Sequence, residues 1–191
     1  MAMPHATLRV AWRHYTVKGK TMTVHFTELW PFALRLYARE GVSAACVQLQ
    51  DEGDLDVCEL LWLCWLAANR HTLAEPDDKW QDALSGVRHW QCSVTIPLRQ
   101  QRRLLKPLAE QTPRLVKLRT HIKQAELEAE REALTRLEAL ARQGRGIRPD
   151  DGNMGLDATL ARWAGPLPAD LTVLLRHVAD AVTADAEPKQ A

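Results

Sequence analysis

The sequence predicts an all-α fold, a single-domain bundle of five or six helices around one buried helix, and three observations carry that prediction. Apolar residues recur at helical spacing from Thr27 onward. No alternating strand pattern is visible outside the first 26 residues. The segment 54–69 is apolar almost all round, and a helix without a polar face is a central one, enclosed by others.

Each element follows from its own signals. Thr27 is a good N-cap for a first helix, Glu28 suits its first turn, and Leu29, Phe32, Ala33, Leu36 and Tyr37 form one stripe. Gly41 closes it, and Ser43 caps a second helix with Ala45, Cys46 and Leu49 inward, ended by the turn at 51–54. The central helix comes third. Pro76, Asp77 and Asp78 open a fourth, carrying Trp80, Leu84 and Val87. A fifth runs from about 90 to 106 and is kinked or restarted at Pro97. Thr112 and Pro113 start a long helix reaching Gln143, with Leu115, Leu118, Ile122, Ala125, Ala129, Ala133, Leu137 and Leu140 as its seam. That seam suits packing within the bundle or pairing with a second copy through 113–143.

Beyond Gly144 the composition turns to Gly, Pro, Asp and Ala. The organisation expected is therefore an extension over 1–26, a helical domain over 27–143, and a linker and tail over 144–191 whose segments 156–163 and 169–183 are marginal helices. Residues 1–26 carry four basic and no acidic side chains, and Met22 is the expected true start.

Composition narrows function by exclusion. The 191 residues carry a net charge of +1, so nothing global marks a nucleic-acid, membrane or acidic partner. The longest apolar run, 60–68, is far short of a membrane span, and no secretory signal is written, so a cytoplasmic location is expected. Cys46, Cys58, Cys64 and Cys92 form no CxxC pair and read as free structural thiols. Phosphate-loop, serine-hydrolase, zincin and ferritin-like signatures are absent, so no catalytic residue, metal or cofactor is assigned and a non-enzymatic role is favoured. The acids at 77–82 read as helix-start charges, and 150–157 resembles a calcium loop but lacks its glycine and final glutamate.

Charge is the strongest local signal. Residues 27–88 hold 5 basic and 11 acidic side chains, whereas 89–123 hold 8 basic and 1 acidic. Arg99, Arg102, Arg103 and Lys106 share one helix face, and Arg114 and Lys117 add a second row. Like charges so placed need a negative neighbour: internally the acids at 51–59 or Glu126, Glu128, Glu130 and Glu132, externally an acidic macromolecule, whether RNA, DNA or protein. The expected function is an interaction module docking such a partner through this stripe. The alternative is a ligand-binding or enzymatic bundle with a pocket made by Trp62, Trp65, Asp56 and Glu59.

LWPFALRLYAREGVSAACVQLQ, DLDVCELLWLCWLA, PLRQQRRLLK and LRTHIKQAELEAERE resemble the pattern of a small bacterial family catalogued only as a domain of unknown function, over about residues 28–140. The resemblance implies an all-helical cytoplasmic protein and carries no reaction, ligand or catalytic residue.

Overall fold

The computed structural model describes residues 26–183, together with the backbone of two short antiparallel strands, β1 (Thr16–Val17) and β2 (Lys20–Thr21). The expectations placed on the rest of 1–25, the start at Met22 among them, and on the last eight residues lie outside the described residues.

The molecule is an all-α single-domain bundle. Its first three helices are α1 (Leu29–Tyr37), α2 (Val42–Glu52) and α3 (Val57–Ala68), and α3 is the centre, touching α1, α2, the long helix over 115–142 and the two C-terminal helices over 156–164 and 169–183. Residues 60–66 are at most 6% exposed, which is what an all-round apolar helix requires. Asp56 caps α3 by accepting from the Glu59 N–H at 3.0 Å. Thr27 has a different task from the one expected. It makes no cap; its hydroxyl and carbonyl oxygens accept from Trp65 Nε1 at 3.0 and 3.1 Å and so fix the entry of the chain to the central helix. Gly41, in the left-handed region at φ 74°, precedes α2 directly, so Ser43 lies inside that helix rather than at its cap.

The fourth helix, α4 (Asp77–Trp90), opens after Pro76 as expected. It runs through a π-helical turn (Gln91–Thr95) into α5 (Ile96–Gln111). The extra residue per turn accommodates the missing donor of Pro97 without breaking the helix. The long helix, α6 (Leu115–Arg142), spans 28 residues, or about 42 Å. Its seam is only half realised: Ala129, Ala133, Leu137 and Leu140 are buried, but Leu118 is 46% exposed and Ala125 is exposed too. The half of α6 from Glu126 onward contributes buried residues, whereas none of residues 115–125 is buried.

The segment expected to be a linker and tail belongs to the body. β3 (His71–Leu73) pairs antiparallel with β4 (Ile147–Pro149), in strands too short to give an alternating pattern. α7 (Leu156–Ala164) packs on α3, and α8 (Ala169–Thr183) packs on α2, burying Leu160, Leu171, Leu175, Val178 and Val182. Periodicity at 156–163 and 169–183 was present but short, and its polar neighbours hid its partner faces. No helix among the described residues is long and apolar enough to cross a membrane.

Candidate functional site

Arg99, Arg102 and Arg103 stand in the row that their spacing predicts, and each meets a carboxylate of its own chain. Arg99 donates from Nε to Glu126 at 3.2 Å and from Nη2 to Glu130 at 2.8 Å. Arg102 donates from Nη2 and Nε to the two oxygens of Glu126, the first at 3.1 Å, and Arg103 donates to Asp51. Glu126 and Glu130 are one turn apart on α6, so the antiparallel α5 brings two of its arginines to them together. The premise that an outside body compensates the stripe is corrected for these three residues: the internal alternative is realised, with carboxylates from α6 and from the end of α2.

The electrostatics follow from that burial. Arg99 is 13% exposed in its side chain and Glu126 is 7%. Burial disfavours the charge of Arg99, but its bonds to Glu130 and Glu126 outweigh this and raise its pKa. The Glu126 bond likewise raises Arg102. Burial lifts the Glu130 carboxyl above the usual range, more than Arg99 pulls it back.

The remaining stripe residues are placed differently. Lys106, Arg114 and Lys117 are exposed and make no ion pair among the described residues, and the same holds for Lys123. They stand on the distal end of the α5–α6 hairpin, where Leu104, Leu108, Val116 and Leu118 are 62, 49, 52 and 46% exposed. Arg119 lies there as well, with a buried Nε that has no hydrogen-bond partner. From 104 to 123 the chain carries five Lys or Arg and one acid, Glu110.

The alternative pocket does not form as expected. Trp62 and Trp65 are 1% and 0% exposed, packed into the core, and Phe26 stacks on Trp65 with ring centroids 4.9 Å apart. Neither indole lines the cleft that holds Asp56 and Glu59. Asp56 and Glu59 face the other way, into a cleft of about 560 Å³ between the α2–α3 turn, the π-helical turn, α5 and α7. The buried Glu59 takes both nitrogens of Arg88, each at 2.8 Å, and the Trp163 indole at 2.7 Å. Asp56 accepts from Gln91 Nε2 at 2.8 Å. Burial, reinforced by the neighbouring Glu59, raises the Asp56 carboxyl above its ordinary value. Arg99 and Arg103 also border this cleft, so acids from one reading and arginines from the other meet across it. A second hollow, about 670 Å³ over α1 and α2, is a shallow depression without converging buried polar groups.

Arg88, Gln91 and Trp163 went unrecognised in the sequence. Arg88 reads as a C-terminal helix cation and Trp163 as part of the tail; only the fold brings them to Glu59, across separations of 29 and 104 residues. The thiols are quieter. Cys46, Cys58 and Cys64 are buried, and desolvation raises the Cys46 pKa to about 12, so it stays protonated; Cys92 is exposed at the cleft.

Residues 28–137, more than half of the chain, match the family described as "Protein of unknown function (DUF2390)". The chain belongs to that family. No curated protein and no solved structure matches it. The DUF2390 span reaches from the start of α1 to Leu137 in α6, so it includes the stripe, its glutamate partners and most of the cleft wall, and it stops before β4, α7 and α8.

Proposed function

We propose that this protein is a non-enzymatic interaction module whose distal α5–α6 hairpin docks an acidic protein surface. The observation that carries the reading is the contrast in charge pairing along the hairpin: Arg99, Arg102 and Arg103 are internally neutralised, while Lys106, Arg114, Lys117 and Lys123 form no ion pair among the described residues. Exposed leucines lie between those cations. Mixed apolar and cationic surface suits a protein partner, whose leucines and carboxylates are complementary to it, better than a phosphate backbone, which offers the leucines nothing.

The test is titration with a Glu/Leu-rich amphipathic peptide, and with duplex RNA of similar charge, at low and high salt. The triple reversal Lys106→Glu, Arg114→Glu, Lys117→Glu is expected to abolish salt-sensitive peptide binding without changing the melting temperature. Unchanged peptide binding would overturn the reading, and tighter binding of RNA than of peptide would replace the protein partner with a nucleic acid.

A further inference from the structure

The cleft between the α2–α3 turn, the π-helical turn and α7 has a polar imbalance that docking by the hairpin does not use. Gln91 is one of its wall residues and is 5% exposed. Its Nε2 donates to Asp56, but its Oε1 is buried and accepts from nothing. An orphaned buried acceptor costs about 1–3 kcal/mol, so its natural complement is a donor. Rotating the amide does not help, because the oxygen would then face the Asp56 carboxylate.

The charges of the wall narrow the donor further. Arg88 is engaged by Glu59, Arg99 by Glu126 and Glu130, and Arg103 by Asp51. Glu59 already accepts two bonds from Arg88 and one from Trp163. What remains is negative: Asp56, whose donors are the neutral N–H groups of Glu59, Gln91 and Cys58, and Asp54, which has no ion pair among the described residues. Each guanidinium of the wall is already paired with a carboxylate, with which an anionic ligand would have to compete. Leu55 and Ile96 add an apolar flank, and about 560 Å³ is within the usual range for a small-molecule site.

We infer that this cleft binds a primary aliphatic ammonium group, held by Asp56, Asp54 and the free oxygen of Gln91, with its alkyl chain against Leu55 and Ile96. The ammonium supplies the donors that Oε1 lacks and the positive charge that the two aspartates lack. Its source is either a free amine or a lysine side chain presented by a polypeptide, since both bring the same group on the same kind of stem.

Titration of the full-length protein with 1,4-diaminobutane tests this, followed through the Gln91 side-chain amide and Trp163 indole resonances. Saturable shifts of both are expected. Asp56→Asn and the near-isosteric Gln91→Met should each weaken binding about tenfold or more, as loss of a hydrogen bond to a charged group does. Gln91→Met gives an independent reading should Asp56→Asn lower the folded population. Tetramethylammonium, a cation without N–H donors, and 1-butanol, a chain without charge, should give no saturable response. Tighter binding of Nα-acetyl-lysine methylamide than of the diamine assigns the polypeptide source, and the reverse order assigns the free amine. Absence of a saturable shift in the folded protein, or an equal response to tetramethylammonium, overturns the inference.

Discussion

The basal and distal halves of the α5–α6 hairpin are built from the same residue types and behave oppositely. Near the core, Arg99 and Arg102 are folded inward onto Glu126 and Glu130, and Glu126 is 5% exposed. Beyond Leu104, Lys106, Arg114, Lys117 and Lys123 are exposed with no ion pair among the described residues, and between residues 100 and 125 only Ala109 is buried. Cations at a spacing of three therefore mean structure in one half, at Arg99 and Arg102, and available surface in the other, at Arg114 and Lys117. The difference lies in what stands opposite: α6 offers glutamates from 126 onward and lysine or arginine before it.

The largest disturbance should come from the basal half. Glu126→Ala leaves two partly buried guanidinium groups without their shared acceptor and is expected to cost about 3–5 kcal/mol, measured as a lower denaturant midpoint. Glu126→Gln should recover part of that, since the amide oxygen still accepts one bond. A loss below about 1 kcal/mol would show that water replaces the glutamate readily and would erase the contrast between the halves.

Next is Arg88→Ala. Its side chain is 41% exposed, but its partner Glu59 is only 2% exposed, so the penalty is set by the carboxylate left behind with Trp163 as its remaining side-chain donor. A cost of about 3 kcal/mol is expected. Glu59→Gln should cost less than Arg88→Ala, because Arg88 can turn toward solvent.

Gly146→Ala should follow at about 2 kcal/mol. Gly146 has φ +70°, and a Cβ there would stand 2.9 Å from Ala83 Cβ and 3.0 Å from Trp80 Cα. The same change at Gly144, also in the left-handed region but with open space around it, isolates the backbone contribution from the contact.

Smaller still is the pH effect. Burial holds Asp56 above its ordinary 3.8 and Glu130 above its ordinary 4.5 in the folded chain. The native state then keeps protons that the unfolded chain has already lost. Stability accordingly falls as pH rises from those ordinary values through the raised ones, and is fully present only below them. Asp56→Asn keeps an acceptor for the Glu59 N–H while removing the charge. It should flatten this slope above pH 3.8, where the unfolded aspartate has lost its proton, and shift neutral-pH stability by less than about 1 kcal/mol in either direction. Smallest of all, Lys117→Glu in the distal half should change stability by less than about 0.5 kcal/mol while weakening binding to an acidic peptide.

Much of this arrangement was legible in the residues. The all-round apolar character of 54–69 located the centre, Pro76 with two aspartates located the start of α4, and the spacing of Arg99, Arg102 and Arg103 located a real row on a real face. The direction of that row was not legible, because sequence spacing fixes which side chains share a face and not what faces them across 24 to 52 residues of intervening chain. Trp62 and Trp65 show the same limit: on a helix apolar on every side, no residue pattern separates the wall of a pocket from the middle of a core. Glu59 is the converse. A charge amid an apolar run signals an internal partner, but naming Arg88 and Trp163 required the turn that carries α4 past α3 and the return of the chain through β4 into α7.

That return has a practical meaning for anyone trimming the polypeptide. Thr27 and Trp163, which satisfy the indole of Trp65 and the carboxylate of Glu59, both fall outside residues 28–137. A recombinant fragment cut to that stretch would retain its arginine–glutamate zipper yet lose the hydrogen-bond partners of the Trp65 indole and of one Glu59 oxygen, and the helix that covers α2. Sequence comparisons confined to the shared stretch consequently leave out the pieces that finish the interior.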